Sequence, residues 1–110
     1  MPNQAYSPDN TLAEIVRRLV AAFQPEEIYL FGSKARGDSS PDSDYNLMVI
    51  VSNEAPPEQR RSRMAYQALR GTGTAADVLV CTEQHFRERL QLPASLPAIV
   101  KRAGVLLYAR

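Results

Sequence analysis

The chain has 110 residues, 45% of them hydrophobic and 23% charged, which is the usage of an ordinary globular domain and excludes disordered, collagen-like and fibrous classes. Thirteen basic and twelve acidic side chains leave a net charge of +1, so no global positive field draws the chain to nucleic acid.

Residues 1–9 hold two prolines, an asparagine and a glutamine, and read as a flexible tail ahead of a single domain over residues 10–110. No apolar segment follows Met1 as it would in a signal peptide. Leu12, Ile15, Val16, Leu19, Val20 and Phe23 recur at helical spacing, with Thr11 and Glu14 spaced as a capping box and Pro25 as the stop. A short strand is expected over Glu27–Phe31. Gly32 to Ser43 is rich in Gly, Ser, Asp and Pro and reads mostly as loop. Asp44 to Val51 is a second strand, apolar on both faces after its first three residues, as a covered central strand would be. Its aliphatic run Leu47–Val51 is too short to span a bilayer. Ser52 to Pro57 reads as a linker, followed by a helix over Glu58–Arg70 with Met64, Ala65, Ala68 and Leu69 as its apolar stripe. Gly71-Thr72-Gly73 ends that helix, and Ala75 to Cys81 is a third strand. A polar helix runs from Thr82 or Glu83 to about Leu90. Gln91 to Pro97 connects to a helix over Ala98–Arg102, with Gly104 as its stop. Val105 to Tyr108 closes the chain as a strand or tail. The element order predicts an α/β (α+β) fold, a mixed β-sheet flanked by helices. Cys81 is the single cysteine, which excludes an intramolecular disulfide and a multi-thiolate zinc site, and the protein is expected in the cytoplasm.

One stretch carries chemistry. The first strand leads into Gly32-Ser33, where glycine lets the backbone approach a ligand closely. A helical turn opening at Ser33 would present free N–H groups to an anion, and Lys34 and Arg36 add positive charge nearby. A lone Gly-Ser pair reads equally as a simple turn. Downstream, Asp44 and Asn46 stand two apart at the entrance of an apolar strand and so project from one face. Asp77 sits near the start of the third strand among apolar neighbours. By itself it reads also as a solvent-facing strand-end residue, since a buried unpaired acid is costly. If the two strands are neighbours, three oxygen-bearing side chains meet. Magnesium prefers such hard donors. A phosphate cradle beside them suits nucleotidyl transfer by two metals.

Gly32-Ser33-Lys34-Ala35-Arg36-Gly37-Asp38, followed by Ser43-Asp44-Tyr45-Asn46-Leu47, resembles the minimal nucleotidyltransferase family of the DNA polymerase β superfamily. The resemblance extends weakly through Asp77 to Gly104–Tyr108. It implies a polymerase β-like mixed sheet flanked by helices and transfer of a nucleoside monophosphate, with ATP as donor and two Mg2+ ions. By position, Gly32 and Ser33 would hold the triphosphate. Asp44 would ligate both metals, and Asp77 would complete the metal site and help activate the acceptor hydroxyl. Asn46 departs from the pattern, which has aspartate as the second metal ligand there. An amide keeps the shape and an oxygen donor but lacks the charge. An introduced inactivating change and natural degeneration both account for it. Members of this family commonly pair with an all-helical HEPN-type RNase toxin. The resemblance therefore implies an antitoxin that transfers AMP to a toxin tyrosine, or that neutralises the toxin by binding and occlusion alone. A helical partner or a second copy would complete the half-open nucleotide site. A small-molecule transferase of the antibiotic-modifying kind would need a substrate domain that this chain lacks.

The other polar candidates have plainer readings. His85 lies on a polar helix and reads as a solvated histidine. Cys81 reads as a small core residue. Arg60, Arg61 and Arg63 read as a solvated basic face. Tyr45 points to the opposite side of its strand from its two neighbours and reads as packing. Arg36 could contact phosphate or brace the loop through Asp38 or Asp42.

Overall fold

The apolar rhythm of the first segment produces α1, Asn10–Phe23, with Leu12, Ile15, Leu19 and Phe23 buried along one stripe. The helix begins one residue before Thr11, so Thr11 is inside it and the capping-box reading does not hold. Glu14 instead pairs with Arg17 and with Arg18, whose Nε lies 2.7 Å away. Gln24 closes the helix in the left-handed region, with φ 47°, and its N–H donates to the Val20 carbonyl at 2.9 Å. The structure, a computed structural model, describes residues 10–37 and 44–110. The expected tail and the motif residues Asp38, Asp42 and Ser43 lie outside them.

Four strands follow: β1 Glu27–Phe31, β2 Tyr45–Val51, β3 Ala76–Thr82 and β4 Val105–Ala109. They form one sheet in the order β3-β2-β1-β4. β1 is antiparallel to β2 and β4, while β2 and β3 run parallel, so the sheet is mixed as expected. β2 is central and its residues are buried on both faces apart from half-buried Asn46. On one face, Ile28, Leu30, Tyr45, Leu47, Val49 and Val78 pack with α1 and with α3, Ser62–Ala68. On the other, Tyr29, Met48 and Ile50 pack with Phe86 of α4, Glu83–Arg89, and Val100 of α5, Leu96–Ala103. The Tyr29 and Phe86 rings stack at 5.8 Å. Burying each large side chain of this kind contributes roughly 1.5–3 kcal/mol.

Two expectations are corrected. The helix over Glu58–Arg70 is broken into a 3₁₀ turn, Pro57–Arg60, and α3. Arg61 between them is extended, with φ −112° and ψ 140°. Arg60 folds back to donate to the carbonyls of Ala55 at 2.8 Å and Asn53 at 3.0 Å, which turns the chain before α3 begins. α5 starts earlier than Ala98 because Ser95 caps it, its hydroxyl accepting from the Ala98 N–H at 3.3 Å, with Pro97 tolerated in the first turn. Gly104 stops α5 as expected, its N–H donating to the Val100 carbonyl at 2.8 Å, with an extended φ of −85°. Its role is space. A Cβ there would lie 2.6 Å from the Val100 carbonyl oxygen and 2.8 Å from that of Leu30, so glycine lets the end of α5 seat on β1.

Candidate active site at the β2–β3 end of the sheet

β2 and β3 are in register so that Asn46 stands beside Asp77. In-register residues of parallel neighbours point to the same face, with strands about 4.8 Å apart. Asp44, two residues before Asn46, precedes the strand, whose first N–H, from Tyr45, donates to the Ala75 carbonyl at 3.2 Å. Asp44 and Asp77 are exposed and share a cleft of about 280 Å³ with Tyr66, Leu69 and Thr74. The approach to Asp77 is held from behind. Arg18 donates to the carbonyls of Ala68 at 3.4 Å and Arg70 at 2.8 Å, fixing the end of α3. Gly71 and Gly73 then turn with positive φ, 89° and 71°, into β3.

On the other side of β2, Phe31 pairs with Asn46, and the chain turns at Gly32 into α2, Ser33–Arg36. Gly32 has φ 82° and ψ −158°, a conformation essentially confined to glycine. A Cβ at Gly32 would lie 2.7 Å from the Asn46 amide nitrogen, so the backbone of the Gly-Ser turn rests directly against the Asn46 side chain. Ser33 opens the helical turn as the sequence suggests. The Ala35 and Arg36 N–H groups both donate to the Gly32 carbonyl at 3.1 Å, so the Ser33 and Lys34 amides precede the first intrahelical bond.

The fold therefore brings Gly32, Asn46 and Asp77 together on one sheet face, with Ser33 following Gly32 and Asp44 sharing a cleft with Asp77 at the strand end. It does not bring Lys34 there. The Lys34 ammonium sits 4.6 Å from the centre of the Tyr45 ring, and Tyr45 is buried in the α1–α3 core on the opposite face. Arg36 is exposed and borders a separate groove with Phe31 and Ile99. His85 is exposed, and its backbone N–H donates to the capping Thr82 hydroxyl at 3.2 Å. Cys81 is half-buried against the second core, and burial pushes its thiol up to about 11. Sequence reading missed Tyr66, whose signal is its place on α3 away from Ala65 and Leu69, and missed Ile99, which lacks any motif context.

Among the described residues, no three His, Cys, Asp or Glu side chains gather as a metal-binding group. The donor set here is two carboxylates and one amide. These are hard oxygen donors of the kind a magnesium ion takes. With the glycine cradle against Asn46, they fit a divalent cation beside a phosphate.

The family model of the nucleotidyltransferase domain matches residues 10–106, and the chain belongs to that family. A protein of Sulfolobus solfataricus described as a candidate nucleotidyltransferase is similar in structure, at 25% identity and a TM-score of 0.48, over 94% of this chain and 91% of that one. No curated protein sequence matches the chain.

Proposed function

We propose that the protein is a minimal nucleotidyltransferase acting as the antitoxin of an all-helical HEPN-type RNase toxin. The proposed reaction transfers AMP from ATP to a toxin tyrosine, the tyrosine oxygen bonding to the α-phosphorus as the α–β anhydride breaks and pyrophosphate leaves, at a rate depressed by Asn46. The observation that carries the transferase part is the contact of Gly32 with Asn46 in register with Asp77. Gly32 and Ser33 hold the polyphosphate through backbone N–H groups. Asp44, Asn46 and Asp77 would hold magnesium, which when bound neutralises charge on the transferring phosphate. Asp77 orients the acceptor hydroxyl and takes up its proton, since it lines the open cleft from which an acceptor arrives. Adenylylation of the toxin adds negative charge to a surface that must receive RNA phosphates.

The protein-directed part draws support from exposure. Tyr66 is 54% exposed at the rim of that cleft, and Leu79, two residues beyond Asp77 on the same face, is 41% exposed. Large apolar side chains left bare beside a site suit a docking protein. A small-molecule acceptor would need more enclosure. No helix among the described residues is long and apolar enough to cross a membrane.

The second reading is an antitoxin that works by occlusion alone, favoured by the amide at Asn46, which leaves two carboxylates where three would stand. Co-expression with the neighbouring gene, followed by size-exclusion with light scattering, tests the partner. A complex with an all-helical chain is expected. A protein that elutes strictly alone, or only with a second copy of itself, contradicts the antitoxin role.

A further inference from the structure

We infer that the groove between α2 and α5 is the pocket for the nucleoside of the donor nucleotide; this rests on the nucleotide-transfer reading above. The groove has a volume of about 170 Å³ and is lined by Phe31, Gly32, Arg36, Ile99, Ala103 and Gly104. Its position links it to the phosphate cradle. It shares Gly32 with that cradle, and Phe31 is the strand partner of Asn46, so the groove wall and the Asn46 side chain lie on one side of the sheet.

The lining suits a planar heterocycle and its sugar. Phe31, Ile99 and Ala103 offer apolar surface, and Arg36 supplies a cationic rim. Nucleotide pockets combine a mostly apolar wall with a few polar groups in this way. Ile99 is 39% exposed although its neighbours Ala98 and Val100 are buried. A large aliphatic residue in that position gains no burial within the chain, whereas a base laid against it would cover it. The groove is also preformed. The backbone contact of Gly104 with Leu30 and Val100 fixes α5 against β1, so the walls stand at a set spacing.

The other cleft is a poorer host for the donor. It is lined by Asp44, Asp77, Tyr66 and Leu69 and does not include Gly32, where the polyphosphate is placed. The two openings on either side of the Asn46–Asp77 pair thus divide between them, donor toward α5 and acceptor toward α3.

Titration calorimetry in magnesium, with ATP and with inorganic tripolyphosphate, tests the assignment on the intact chain and on Ala103→Trp and Ile99→Asp. Both substitutions fall at exposed positions, and circular dichroism melts establish that each variant folds; should Ala103→Trp not fold, the Ile99→Asp and Ile99→Leu pair decides. The intact chain is expected to bind ATP about tenfold more tightly than tripolyphosphate. Each folded variant should lose about tenfold in ATP affinity and retain its tripolyphosphate affinity, with Ile99→Leu restoring ATP binding. Unchanged ATP affinity in the folded variants overturns the groove assignment and leaves the nucleotide reading standing. Binding of neither ATP nor tripolyphosphate by the intact chain overturns both.

Discussion

Asn46 and Asp77 face the same side of the sheet as in-register neighbours of the parallel pair β2–β3. In the proposed metal site their oxygens would act as joint donors, so the charge of one would alter what the other can hold. Asn46→Asp adds a carboxylate at a fixed backbone position and should tighten Mg2+ or Mn2+ binding by about tenfold or more, roughly 1.4 kcal/mol. Calorimetric titration of the metal checks this, with Asp77→Asn expected to weaken binding in both backgrounds. Equal affinity with and without the added carboxylate would mean that Asn46 is not a ligand.

Gly32 carries two constraints at once, its φ of 82° and the 2.7 Å approach of the Asn46 amide to a Cβ. Gly32→Ala is expected to cost about 1–3 kcal/mol in stability for the backbone strain alone. It should also weaken ATP and tripolyphosphate binding together, because the cradle shifts as a unit. Urea titration and calorimetry separate the two effects.

Gly104 and Gly37 make a matched pair of controls. Gly104→Ala forces a methyl into the carbonyls of Val100 and Leu30 and should destabilise by about 1–3 kcal/mol through overpacking. Gly37 has φ 81° and no described residue within 4 Å of a Cβ, so Gly37→Ala should cost mainly the conformational part, about 1 kcal/mol. Urea midpoints read the difference, and a reversed ranking would show that α5 is not seated on β1 through Gly104.

Hydrogen bonds from Arg17, and then from Arg18, hold the Glu14 carboxyl down to about 2, from 4.5. The folded state therefore favours ionised Glu14. Its contribution is present above pH 4.5 and is lost as pH falls from 4.5 toward 2. The urea midpoint of the parent should exceed that of Glu14→Gln by a constant amount at neutral pH. The gap should close across that acid window. A gap that persists unchanged at pH 2 would contradict the pairing.

The strands were legible in the sequence because their apolar runs are long and bounded by Gly, Pro and Asp. β1 falls on the expected residues, Glu27–Phe31. The alternation that puts Tyr45 on the opposite face from Asn46 holds in the folded chain, where Tyr45 is buried in the α1–α3 core and Asn46 is half-buried. Less legible were features set by long-range contacts. The break at Arg61 depends on Arg60 reaching the carbonyls of Asn53 and Ala55, which no local pattern announces. Lys34 looked like a phosphate ligand by proximity in the chain, but one helical turn carries its side chain over the edge of the sheet to Tyr45. Gly104 is the helix stop its position suggests, but its close approach to Leu30, which no local pattern announces, is what requires glycine. The cleft at Tyr66 and the groove at Ile99 arise only when α3 and α5 settle on opposite faces.

Whether position 46 carries an amide or a carboxylate decides the proposed chemistry, and one labelling experiment addresses it directly. The chain and Asn46→Asp are each incubated with the all-helical partner, magnesium and ATP labelled at the α-phosphate, and transfer to the partner is followed on a gel. Losing several kcal/mol of transition-state stabilisation corresponds to a rate lower by two or more factors of ten at ~1.4 kcal/mol each. Label should therefore accumulate on a partner tyrosine about a hundredfold faster with Asn46→Asp than with the chain itself. Equal and strong labelling by both would contradict the need for a carboxylate at this position, and labelling by neither would leave occlusion as the mode of action.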